Sequence, residues 1–257
     1  MAFSLPIFLV IALFSRRDDH KVIPRGDYLK IFLLGLIGYY LASYLDFKGL
    51  EYIKASLERL ILFVYPTLVI VIGALIFKDH VTRAQIVGVL VTYLGILIVF
   101  LPEIGDQNRG VITGALLVFL SALSYGSYLV GSGRLIPRWG AKRFTTMAML
   151  ISTGAVFVHF LVINKGLGKA LEQEVAVYLY TLAMAVFSTV LPSYLISFSI
   201  KGLGAGQFAI FASMGPISTI VLAFYFLGER LTPLQLVGGI VVISGVFVAE
   251  RFRQRAQ

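Results

Sequence analysis

Cysteine is absent, histidine occurs three times and tryptophan once in 257 residues, and charged side chains make up only 14% of the chain. Without cysteine there is no disulfide, no thiolate metal site and no cysteine nucleophile. The histidines stand at no metal-ligand spacing, and the sequence contains no HExxH zinc pair, no Gly-Xaa-Gly-Asp aspartyl motif and no GxSxG nucleophile. Nothing in it therefore points to an enzyme, a metal or a cofactor. The phosphate cradle of a P-loop is missing too, so any transport would draw on an ion or substrate gradient. The opening MAFSLPIFLVIALFSRR is not expected to act as a secretory leader, because its positive charges follow the apolar run, the reverse of the secretory order.

What is present is apolar. Hydrophobic residues make up 58% of the chain, whereas soluble domains run near half apolar and a quarter charged. The apolar runs approach the ~20 helical residues that cross ~30 Å of hydrocarbon, and they lack the short alternation of a membrane barrel. An all-α integral membrane protein follows. Spans are predicted at Ala2–Phe14, Leu29–Phe47, Ile53–Phe77, Gln85–Leu101, Val111–Gly131, Thr145–Asn164, Val177–Ile200, Gln207–Leu227 and Leu234–Val248, nine in all. The first is short: at about 1.5 Å per residue it reaches only ~20 Å.

Pro66–Gly95 recurs 150 residues later as Pro216–Gly245, with nine of thirty positions identical. PTLVIVIGALIFKDHVTRAQIVGVLVTYLG and PISTIVLAFYFLGERLTPLQLVGGIVVISG pair Asp79 with Glu229, Thr82 with Thr232, Gln85 with Gln235, Gly88 with Gly238 and Gly95 with Gly245. Apolar composition alone would give roughly three identities, so a duplicated membrane unit explains the match better. The two units are expected at 1–101 and 111–250. If each is a five-helix bundle, the first lacks one helix and part of another. Five being odd, the halves would enter the membrane in opposite senses as an inverted repeat.

Basic residues set the orientation. Taking alternate connections, Lys48, Lys54, Arg109, Lys165, Lys169 and Arg230 fall on one side, against fifteen between Arg16 and Arg255 on the other. The richer side, with the C-terminus, is predicted to be cytoplasmic. The formal charge of +9 is thus an orientation signal, and it calls for a lipid bilayer rather than nucleic acid as partner.

Within the repeat, Thr82-Arg83-Ala84-Gln85 and Thr232-Pro233-Leu234-Gln235 have the form of capping boxes, with Pro233 at the first helical position. Asp79 and Glu229 read as turn residues at the interface. Gly88 with Gly95, and Gly238 with Gly245, are seven apart and share a helix face, as expected of close helix packing. Pro66 and Pro216 fall mid-span, where each frees backbone carbonyls. Paired breaks in two inverted halves point to a substrate site near the midplane, and a plain kink is the simpler alternative.

Around Pro66 the first half adds charge. Glu58 and Arg59 lie inside an otherwise apolar span, and on an unbroken helix they stack beneath Tyr65 and Pro66. Intramembrane charges cost about 2.5–3.5 kcal/mol each on insertion scales and face a cavity or a partner. Alternatively, Glu58 pairs with Lys54 and Arg59 snorkels outward. The second-half counterparts are Phe208 and Ala209. Ser121, Ser124, Tyr125 and Tyr128 form a hydroxyl stripe, and Tyr40, Ser43 and Tyr44 a shorter one; a wet cavity and interhelical hydrogen bonding both account for such stripes. His159, alone on its helix, reads as a packed polar residue.

With these features the chain resembles the EamA family of the drug/metabolite transporter superfamily. The resemblance rests on the two repeat copies, on IKASLERLILFVYPTLVIV, on FASMGPISTIVLAFYFLGERLTPLQLVGGIVVISGVFVAER and on basic hairpins such as RRDDHK, and it spans nearly the whole chain. FLGERLTPLQLVGG is its most specific part; the first copy replaces the glycine before the acid with Lys78. The family implies ten helices as two inverted five-helix repeats with both termini cytoplasmic, so this sequence resembles a ten-helix transporter without its first helix. It also implies secondary transport of small organic molecules, often export of amino acids or other metabolites, through alternating opening of a central cavity. Family membership supplies no catalytic motif, so the substrate-binding candidates come from the physical reading: Tyr40, Glu58, Arg59, Tyr65, Pro66, Tyr125, Tyr128 and Pro216. Arg59 would attract an anionic group, while Glu58 would bind an ammonium group or carry a coupling proton or ion. The alternative is a non-transporting membrane partner, or an inactive truncated paralogue.

Overall fold

A computed structural model describes residues 2–15, 24–104, 109–164, 173–212, 214–228 and 231–253. Glu229 and Arg230 of the second repeat copy, and the basic residues Arg16, Arg17, Lys21, Lys165, Lys169 and Arg255, lie outside them. Among the described residues every regular element is helical. A hydrocarbon solvent offers no partner to backbone N–H and C=O groups, so a spanning segment must satisfy them internally.

The helices are α1 (Leu5–Ser15), α2 (Arg25–Gly35), α3 (Ala42–Gly49), α4 (Ala55–Leu62), α5 (Tyr65–Phe77), α6 (Arg83–Ile104), α7 (Arg109–Trp139), α8 (Ala141–Asn164), α9 (Val175–Met184), α10 (Leu191–Ala212), α11 (Met214–Leu222) and α12 (Pro233–Arg253). Among the described residues, five stretches are long and apolar enough to cross a membrane: Gly26–Gly49, Ala55–Phe77, Gly110–Trp139, Ala141–Asn164 and Val175–Gly202. Leu5–Phe14, Arg83–Val99 and Pro233–Ala249 are shorter apolar helices.

Some boundaries differ from the sequence expectation. Helix α7 runs on to Trp139 instead of stopping at Gly131, because Gly140 makes the turn into α8 by itself. Its φ of 77° lies in the left-handed region, which glycine enters without a Cβ penalty. Helix α10 continues through 201–206, where a connection was expected; its glycines weaken the helix but place no proline there to end it. The span Ile53–Phe77 divides into α4 and α5 around Phe63 and Val64. Pro66, at the second position of α5, has no N–H to offer the Leu62 carbonyl, so the ladder stops and restarts. The Thr67 hydroxyl donates to the Val64 carbonyl at 2.9 Å and closes the new helix start. The shared face predicted for Glu58 with Tyr65 and Arg59 with Pro66 assumed an unbroken helix, and the break interrupts it.

The chain forms two compact units, one from 1–40 and 131–202 and the other from 41–130 and 203–257. Each draws on both halves of the sequence. In the first, α1 and α2 pack on α8, around buried Phe8, Ile31, Phe144 and Met149. Thr145 donates to the Ser197 hydroxyl at 2.5 Å, and Thr146 and the Tyr194 hydroxyl are 2.7 Å apart.

In the second unit, α6 and α12 make the most extensive helix pair, and the glycines of the repeat lie along their seam. A Cβ at Gly88 would come within 2.7 Å of the Gly245 carbonyl, and one at Gly95 within 2.9 Å of the Gly238 carbonyl. Gly88 thus meets Gly245, and Gly95 meets Gly238, so the equivalent helices run in opposite directions. Helix α4 packs on α6 and on α11.

The two recurring segments also match in backbone geometry. Both capping boxes close reciprocally: Thr82 N–H to Gln85 Oε1 at 2.7 Å with Gln85 N–H to Thr82 Oγ1 at 3.3 Å, and Thr232 N–H to Gln235 Oε1 at 2.9 Å with Gln235 N–H to Thr232 Oγ1 at 3.2 Å. Each preceding helix ends on a left-handed residue, Lys78 at φ 57° and Gly228 at φ 66°, whose N–H bonds the carbonyl of Gly73 or Ala223. Gly73 and Ala223 are repeat equivalents. Two π-helical turns, Leu36–Leu41 and Ala185–Val190, lie 149 residues apart, one residue off the repeat offset.

Lys78 carries a Cβ where its counterpart is glycine, at a cost of about 1–2 kcal/mol. Lys78→Gly is expected to stabilise the chain by about 0.5–1 kcal/mol, part of the strain relief being offset by glycine's larger unfolded-state entropy. Gly228→Ala should destabilise by a similar amount, both read from thermal melts in detergent. Gly88→Ala would press a methyl group into the backbone of α12 and should cost about 1–3 kcal/mol. Gly133→Ala, where a Cβ would meet nothing within 4 Å, should show no such loss.

Candidate functional site

In the second unit, Asp46, Glu58 and Arg59 lie close together within membrane-spanning segments. Glu58, in the first turn of α4, is 1% exposed. The alternative pairing of its side chain with Lys54 is not observed: only the Glu58 N–H reaches back, to the Lys54 carbonyl at 2.9 Å. The carboxyl group instead lies within hydrogen-bonding reach of the Asp46 carboxyl on α3, with Arg59 as the neighbouring cation.

Arg59 Nε stands 3.5 Å from Glu58 Oε2, too far for a hydrogen bond, so the attraction is coulombic only. Its side chain is 39% exposed, which leaves the guanidinium fork open to another acceptor. Asp46 Oδ1, Glu58 Oε1 and Arg59 Nε are all buried without a hydrogen-bond partner. Each such atom costs about 1–3 kcal/mol in a medium that offers no water.

Above the helix break, Tyr65 meets Tyr125 edge to face with ring centroids 5.1 Å apart, and Tyr125 stacks on Tyr128 at 6.1 Å. Tyr128 and Pro66 are buried. Gly126 lies against this meeting, where a Cβ would stand in ordinary contact, 3.4 Å from the Tyr65 carbonyl. Ser121 is committed elsewhere: its hydroxyl donates to the Ala42 carbonyl at 2.8 Å and ties α7 to α3.

Glu58, Arg59, Tyr65, Pro66, Tyr125 and Tyr128 thus share one unit. Pro216 lies on α11, which packs on α4, and its side chain is outside what the structure describes. The side chains of Phe208 and Ala209 are outside it as well. Tyr40 belongs to the other unit, in the π-helical turn Leu36–Leu41, where its hydroxyl is 2.7 Å from His159 Nδ1. That pair borders an open groove of about 690 Å³ between α2 and α8, lined otherwise by apolar side chains such as Phe32, Leu36, Ile151 and Val158.

Asp46 was missed by the sequence reading. The signal available was a carboxylate one residue inside the predicted end of its span, the position from which a side chain can still turn inward.

A model of the EamA-like transporter family matches residues 1–101 and 112–250. The chain belongs to this family. It is 29% identical to the uncharacterized transporter YcbK of Bacillus subtilis over 251 residues, covering 95% of this chain and 78% of that protein. It is 25% identical to the uncharacterized transporter YyaM of the same organism, with 95% and 79% covered, and 21% identical to an uncharacterized transporter of Archaeoglobus fulgidus, with 98% and 86% covered. A solved crystal structure aligns with a TM-score of 0.62 at 16% identity, over 99% of this chain and 87% of that one. A likeness at that identity shows the fold alone. This EamA-family chain is accordingly a multi-pass membrane protein of a transporter family.

Tyr40→Phe removes the hydroxyl that serves His159. A melting-temperature loss equivalent to about 1 kcal/mol is expected, the net worth of one buried hydrogen bond.

Proposed function

We propose that this EamA-family chain is a secondary transporter of small organic metabolites, amino-acid-like or drug-like, that exports them across the cell membrane by alternating access of a central cavity. The observation that carries the reading is the Asp46–Glu58–Arg59 cluster around a buried Glu58, beside a proline-broken helix within a family of transporters. Charges are retained in hydrocarbon where they line a pathway or bind a substrate. Of the five spanning stretches among the described residues, Ala55–Phe77 is the most enclosed, with 61% of its 18-residue apolar core buried.

In this reading the halves 1–101 and 111–250 are inverted repeats with the C-terminus in the cytoplasm. The opposed directions of α6 and α12 support the inversion, and the surplus of basic residues on one side supports the orientation. Arg59 takes the anionic end of a substrate, since its guanidinium is charged and half-open. The carboxyl side of the cluster takes an ammonium group or a coupling proton. Tyr65, Tyr125 and Tyr128 supply an aromatic wall next to the break at Pro66, with Pro216 on α11 in the same unit, and Tyr40 is a separate substrate-binding candidate in the other unit, beside its own groove.

The test is flux in proteoliposomes with a panel of radiolabelled amino acids. Arg59→Ala should lower flux of carboxylate-bearing substrates at least about tenfold, the loss of one charge-assisted contact. A variant that matched the parent for every substrate carried would remove Arg59 from the mechanism. A parent that carried none of them would favour a non-transporting partner.

A further inference from the structure

We propose that Asp46 and Glu58 together form one proton-binding site inside the membrane, with Arg59 fixing its occupancy at a single proton. The inference deepens the transport reading and rests on it for its purpose, since it makes a proton the coupling ion.

The argument begins with geometry. Two carboxyl groups from different helices, α3 and α4, lie within hydrogen-bonding reach of one another. Neither Asp46 Oδ1 nor Glu58 Oε1 has a partner, and both are buried. A carboxylate only accepts hydrogen bonds, so two ionised groups at this separation have no bond to make and repel. One proton between them turns the repulsion into an O–H···O⁻ bond, among the strongest available to side chains.

Charge balance then sets the number. Asp46 and Glu58 carry two negative charges and Arg59 one positive, so a single shared proton leaves the cluster neutral. A low dielectric penalises every other count. Among the described residues, Asp46 and Arg59 are the charged groups acting on Glu58, and Glu58 and Arg59 those acting on Asp46. Of the helices packed on α4, α11 has no titratable side chain; α6 carries Arg83 and Tyr93, neither of which acts on either carboxyl, and Glu103, whose side chain is outside what the structure describes. The core next to α4 is otherwise apolar, made of Leu57, Leu60, Ile61, Val99 and Val118.

A consequence for transport follows. An ammonium group that pairs with the two carboxylates restores the same neutrality as the proton, so it displaces the proton. Export of an amine then exchanges it for an incoming proton.

Infrared spectroscopy of the full chain in lipid nanodiscs at neutral pH reads the proton directly, through the carbonyl stretch of a protonated carboxyl group and its shift in heavy water. The parent should show one such group. Asp46→Asn and Glu58→Gln should each abolish the band, because either leaves one carboxylate that Arg59 already neutralises. Arg59→Gln should roughly double it, because two protons are then needed. Helicity and melting temperature identify any variant that has lost its fold, and the three substitutions report independently. No band in the parent, a band that survives both carboxyl substitutions, or an unchanged band in Arg59→Gln would overturn the proposal. If this pattern holds but no substrate moves in proteoliposomes, the transport reading falls and the proton site stands. If substrates move and the pattern fails, the site falls and transport stands.

Discussion

A bilayer interior gives a polypeptide no hydrogen-bond partners, and that constraint governs every level of this structure. It makes the described segments helical, and it decides how they end. Thr82 with Gln85, and Thr232 with Gln235, satisfy first-turn donors that water would otherwise serve. At Pro66 the ladder stops, and the restarted helix is anchored at the Val64 carbonyl, which accepts from the Thr67 N–H, the Thr67 hydroxyl and the Leu68 N–H. Threonine hydroxyls elsewhere bond back to carbonyls of the preceding turn, as Thr92 does to Gly88 at 2.8 Å. Where no local partner exists, polar groups find one in distant parts of the chain, as the Ser121 hydroxyl does at the Ala42 carbonyl.

The same constraint explains why the duplication is clearer in backbone geometry than in residue identity. Lys78 and Gly228 differ in every side-chain property, yet both adopt the left-handed conformation, and their amides bond equivalent carbonyls. The turn between the helices requires that conformation, so the first copy tolerates its strain. Along the seam of α6 and α12 the glycines recur because backbone-to-backbone approach leaves no room for a Cβ. Each helix supplies to the other what it needs itself, which accounts for the retention of both glycine pairs in both copies.

Local features were legible from the sequence because their physics is local. Capping boxes span three residues, a proline acts on the carbonyl four residues back, and the glycine spacing names a face. Partners were not legible. Tyr40 and His159 are separated by 119 residues, and nothing in either neighbourhood names the other. Glu58 had a plausible partner in Lys54, one helical turn earlier, but the exposed lysine has water available whereas a buried carboxyl does not. The hydroxyl of Ser121, placed on a stripe that suited either a cavity or a helix contact, serves a helix contact.

By itself the sequence determined that this is a helical membrane protein with a recurring thirty-residue segment, where several helices start and break, and which residues cannot rest in lipid without compensation. These follow from composition and short-range spacing, and hydrocarbon enforces both. The tertiary structure alone decided that Asp46 is the neighbour of Glu58, that Arg59 is only loosely held, and that Tyr40 answers to His159. Those outcomes depend on which helix faces meet, and facing is settled by packing across the whole bundle rather than by any stretch of chain.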